Sequence, residues 1–102
     1  MKIRFFDQGI EDFLLKLDKP TIAKALRTFD LLEKFGKNLS MPHGKKINEN
    51  LFELRIRGRT EVGIFYTFNK RTAIVLSAFV KKTRKIPKSY LKLAEKRLKS
   101  LD

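Results

Sequence analysis

A chain of 102 residues with 42 % hydrophobic content and nine phenylalanines is one domain with one core, here residues 1–102. Lysine and arginine number 24 against 11 aspartate and glutamate, a net charge of +13 that points to a polyanionic partner. The absence of cysteine excludes a disulfide framework and thiolate chemistry, and no apolar run is long enough to span a membrane, so a soluble cytoplasmic protein is expected.

Residues 2–6 read as a short strand. Asp7 offers a helix cap, and Ile10, Phe13, Leu14 and Leu17 follow at helical spacing. Asp18-Lys19-Pro20 interrupts this helix, because proline lacks the amide donor and restricts its predecessor. A second helix starts near Pro20, carries Ile22, Leu26, Phe29, Leu32 and Phe35 as its apolar stripe, and stops at Gly36. Residues 36–50, rich in Gly, Asn and Lys, read as a loop. The loop holds the single histidine, His43, which reads either as a catalytic base or as a solvated side chain beside a proline turn.

Three strands follow. In 51–57, Phe52, Leu54 and Ile56 alternate with Glu53, Arg55 and Arg57, one set for the core and one for solvent. In 61–69, Val62, Ile64, Tyr66 and Phe68 oppose Gly63, Phe65 and Thr67, and Asn69 suits a positive-φ turn after them. Residues 72–80 are apolar almost throughout, as in a strand covered on both faces. The run Lys81-Lys82-Thr83-Arg84-Lys85 leaves that strand, and Pro87 opens a last helix. Leu91, Ala94, Leu98 and Leu101 form its stripe, and Lys88, Lys92, Lys96, Arg97 and Lys99 its basic surface. The order β-αα-βββ-α predicts an α+β domain with helices on one face of a mainly antiparallel sheet.

Arg55 and Arg57 share a face, roughly 7 Å apart along the strand. Phe65 is expected beside them, and Phe79 and Lys81 join if they keep parity with Val75 and Ser77. Such a face offers guanidinium forks for phosphate and exposed rings for stacked bases, which suits single-stranded RNA. The alternative makes Arg55 and Arg57 solvated strand residues paired with Glu53 and Glu61. No Cys/His or grouped Asp/Glu pattern suggests a metal, and no Gly-rich loop suggests a nucleotide cofactor.

The segments Leu51-Phe52-Glu53-Leu54-Arg55, Ile64-Phe65-Tyr66 and Phe79-Val80-Lys81-Lys82-Thr83-Arg84-Lys85-Ile86-Pro87 resemble signatures of the RelE/HigB superfamily of toxins, in its phage Gp49-like (HigB-type) branch. Pro42 with Lys45-Lys46-Ile47 resembles the family's lead into the first of these strands. The resemblance implies a RelE-like toxin of a toxin–antitoxin pair. It would be an mRNA endoribonuclease acting at the ribosome without metal or cofactor, through attack of a 2′-hydroxyl on the adjacent phosphodiester. It would be masked by a cognate antitoxin, of helix-turn-helix type. Carried over by position, Arg55, Arg57 and Lys81 or Lys82 are the catalytic cations, Tyr90 the aromatic acid, and Arg59, Phe65, Phe79, Arg84 and Lys85 RNA contacts. A lysine base is favoured by crowding among cations, which disfavours the charged amine. Relatives carry arginine where Gly63 stands, and Arg57 or Arg59 is then the nearest substitute. A non-catalytic RNA- or ribosome-binding module is the alternative, and a basic C-terminal helix gripping an acidic protein a third.

Overall fold

The computed structural model describes residues 1–40 and 43–101; Pro42 lies outside them. The elements are β1 (Lys2–Phe5), α1 (Gln8–Leu15), α2 (Lys19–Phe35), a 3-10 turn (Gly36–Asn38), β2 (Gly44–Asn48), β3 (Leu51–Ile56), β4 (Val62–Asn69), β5 (Thr72–Val80) and α3 (Lys88–Lys99). One five-stranded sheet runs β1-β5-β4-β3-β2, antiparallel except for the β1–β5 pair. The α+β class predicted from the sequence is therefore the one observed.

Caps set the helix starts. The Asp7 carboxylate accepts from the Ile10 amide at 3.1 Å. Asp18 does the same for Thr21, whose hydroxyl also donates to it at 2.7 Å and holds that carboxyl below its ordinary value. Gly36 ends α2 at φ 54°, a backbone conformation that suits glycine.

The structure departs from the sequence reading in five places. Residues Gly44–Asn48 are an edge strand, not loop; Lys46 is the solubilising residue of its exposed edge. The helices cover both faces of the sheet, not one. The α1–α2 hairpin packs on Leu54, Ile56, Val62, Ile64, Tyr66 and Val75, and α3 packs on Leu51, Phe65, Ile74, Leu76 and Phe79. The buried flank of α2 runs through Thr21, Ala25, Thr28, Phe29 and Leu32, which leaves Leu26 and Phe35 outside. At the β4–β5 turn the positive φ falls on Lys70, not Asn69. Finally, a β-bulge interrupts β5: Tyr66 faces Val75 and Phe65 faces Ser77, so Leu76 is an extra residue.

That bulge reverses the side-chain parity of β5. Val75 faces the hairpin, whereas Ser77, Phe79 and then Lys81 face the α3 side with Phe65 and Glu53. The even spacing from Val75 to Lys81 that the sequence suggested does not hold.

A cationic cleft at the uncovered end of the sheet

The α3 side of the sheet is covered by α3 over part of its area. Beyond it lies an open cleft of about 680 Å³, lined by Lys45, Arg55, Arg57, Glu61, Lys81, Lys82, Thr83 and Arg84. Strands β2 and β3 and the 81–84 segment thus deliver six cations to one surface.

Glu53 is the hub beneath them. It stands on β3 between Lys45 of β2 and Phe65 of β4 and is 1 % exposed. Its carboxylate meets Lys81 at 3.5 Å, Arg55 at 3.6 Å and Lys45 at 3.7 Å. Oε1 makes no hydrogen bond within 3.5 Å among the described residues, so its desolvation is offset by these charges rather than by a fitted donor. A buried carboxylate held this way fixes the cations around it. Lys81 is nearly as buried as its partner, and its amide donates to the Glu61 carbonyl at 2.7 Å. Arg55 reaches Glu61 at 3.8 Å, and its amide donates to the His43 carbonyl at 2.8 Å.

Arg55 and Arg57 also line a smaller cleft of about 200 Å³ between β3 and α2, with Lys24, Arg27, Thr28 and His43. Lys24 donates to the Arg57 carbonyl at 2.9 Å, which ties α2 to the end of β3. His43 is exposed and borders this second cleft.

The structure brings together Arg55, Arg57, Lys81, Lys82 and Arg84 from the sequence-predicted set. Tyr90 and Lys85 line an adjoining cleft of about 550 Å³ with Phe13, Val80 and Pro87, and Lys82 and Thr83 belong to both. Arg59 is exposed in the β3–β4 turn and lines none of these clefts. Phe65 and Phe79 are corrected: at 0 % and 1 % exposure they lie under α3 and have no open face for a base. Phe79 instead stacks on the half-exposed Tyr90, with ring centroids 5.2 Å apart at 22°.

Gly63 has a local cause. It faces Arg55 on one side and Phe79 on the other, and a Cβ built on it would lie 2.3 Å from the Phe79 ring. Phe79 occupies the space that any side chain at position 63 would need. Lys45 carries no site signal in the sequence, because the Gly, Asn and Lys content of residues 36–50 is that of a loop, and neither does the hub role of Glu53. Glu53 shares parity with Arg55, so its side was legible, but its burial was not.

Fold and site together define a small α+β domain with an open cationic cleft lined from β2, β3 and the segment that follows β5. The model of the phage-derived Gp49-like protein family matches residues 12–99, so the chain belongs to that family, one of RelE/HigB-type toxins of toxin–antitoxin pairs. An antitoxin partner follows from that membership. Comparison with curated proteins gives no match.

Proposed function

We propose that this toxin is an endoribonuclease that cuts mRNA, on the ribosome, by 2′-hydroxyl attack. The observation that carries the reading is the cleft in which exposed Arg57, Lys82 and Arg84 and part-exposed Arg55 stand around Lys81, itself held by buried Glu53. Arg55 and Arg57 bind the non-bridging oxygens of the scissile phosphate, and Lys81 adds fixed positive charge where the transition state gains negative charge. The 2′-oxygen bonds to phosphorus and gives its proton to a base; the bond from phosphorus to the 5′-oxygen breaks, and that oxygen takes a proton. The products are a 2′,3′-cyclic phosphate and a 5′-hydroxyl, and the step needs no further reactant. Lys82 is the candidate base, because Lys81 is committed to Glu53. Tyr90, beside Lys82 in the adjoining cleft, is the acid.

Primer extension on a translated mRNA tests this. Wild type is expected to produce discrete stops, and Arg55→Ala to reduce them at least tenfold. Absence of wild-type cleavage removes the enzyme reading, and equal cleavage by Arg55→Ala removes the site assignment. The second reading, a basic module that binds RNA or the ribosome without cutting, is favoured by Phe79 filling the space beside Gly63. It predicts salt-sensitive binding with no cyclic phosphate formed.

A further inference from the structure

A second surface differs in chemistry from the cleft. Between α1, α2 and β1 lies a groove of about 320 Å³, floored by Ile3, Phe5, Leu14, Ala25 and Phe29. Leu15 and Leu26 stand on it at 62 % and 60 % exposure, among the most exposed large apolar side chains described. The charged residues lining it are Glu11, Asp30 and Glu33, all acidic, on a chain of net charge +13. The helix α2 divides the two surfaces: Lys24 and Arg27 line a cleft with Arg55 and Arg57, while Leu26, Asp30 and Glu33 line the groove. No residue lining the groove lines the cationic cleft.

We propose that this groove is a docking site for an amphipathic helix of the antitoxin, with aliphatic side chains on one stripe and lysine or arginine on its flanks. The apolar floor takes the stripe, and the three carboxylates select the basic flanks. A second copy of this chain is a poor occupant. Two copies at +13 repel, and α3, its basic helix, already lays Leu91, Ala94 and Leu98 on its own sheet. The groove therefore anchors a partner while leaving the cationic cleft uncovered, so masking of the cleft falls to another part of that partner. The inference rests on the antitoxin pairing of the family and is independent of the RNA-cutting reading.

The test uses the full chain and a synthetic helical peptide with leucines on one stripe and lysines flanking it, alongside the same peptide with glutamates for lysines. Fluorescence anisotropy is expected to give micromolar binding of the lysine peptide and binding about tenfold weaker for the glutamate peptide. Leu26→Glu is expected to weaken the lysine peptide about tenfold, and Asp30→Lys with Glu33→Lys to reverse the preference. Circular dichroism checks that these surface variants fold. The cognate antitoxin is expected to displace the peptide. Absence of binding, equal binding by Leu26→Glu, equal affinity for the two peptides, or an antitoxin that binds and leaves the peptide in place each overturns the proposal. So does concentration-dependent self-association that Leu26→Glu abolishes, which would assign the groove to a second copy. Failure of mRNA cleavage would leave all of these outcomes unchanged.

Discussion

Gly63 and Phe79 act as a pair. A methyl group at position 63 would meet the Phe79 ring at 2.3 Å, and that ring is wedged between Phe65 and Tyr90. Gly63→Ala is expected to cost about 1–3 kcal/mol by overpacking, measured as a lowered urea midpoint. Gly63→Ala with Phe79→Leu should recover part of that loss, since the smaller side chain vacates the space. Glu53 is tested differently. Glu53→Gln removes the negative charge that holds Lys81, Arg55 and Lys45, so RNA cleavage should fall at least tenfold while RNA binding holds or tightens. A merely unfolded variant would lose both. Burial pushes the Tyr66 hydroxyl up from 10.0 to about 12. The neutral phenol is favoured in the folded state, so its contribution is complete below pH 10 and is lost as pH rises toward 12. Urea unfolding across that window should show a loss on the order of 2 kcal/mol that Tyr66→Phe lacks.

At the scale of elements, α3 is secured by a residue that helical spacing places on its basic surface. Arg97 turns inward and donates at 2.7 Å to the carbonyl of Leu76, the extra residue of the β5 bulge. It also donates at 2.8 Å to Asp7, the cap of α1, and lies over the Phe6 ring at 4.9 Å. One side chain thus joins the last helix, the central sheet and the first helix. Arg97→Met is expected to cost about 1–3 kcal/mol and to lower hydrogen-exchange protection in α3 more than in β4. Since α3 carries Tyr90, the adjoining cleft should loosen with it. The helix stripe Leu91, Ala94, Leu98 and Leu101 was legible because its period is local. The role of Arg97 was not, because a bulge and a capping residue 90 positions away create its partners.

Over the whole molecule, charge is sorted by surface. The cationic cleft gathers Lys45, Arg55, Arg57, Lys81, Lys82 and Arg84 against Glu53 and Glu61, a surplus of four from six cations and two carboxylates. Binding of single-stranded RNA should weaken with salt at a slope of about −3 in log K against log salt, and Arg57→Ala should reduce its size by about 0.7. A slope near zero would mean that the cleft does not meet phosphates. No described helix is long and apolar enough to cross a membrane.

Residue order alone specifies the α+β class, the strands β3 to β5, the caps Asp7 and Gly36, the run of cations after β5 and the likeness to a toxin family. These are local signals, written in alternation, spacing and turn residues within a few positions. Tertiary structure alone decided which face each strand presents to which helix. Parity along β5 depends on one extra residue, Leu76, and alternation cannot report a bulge inside a run that is apolar throughout. Placing α3 opposite the hairpin buried Phe65 and Phe79, which strand parity alone had left beside the arginines. The bulge also set Lys81 facing a buried carboxylate. Burial is a property of what covers a face, and the covering helix lies far from that face along the chain.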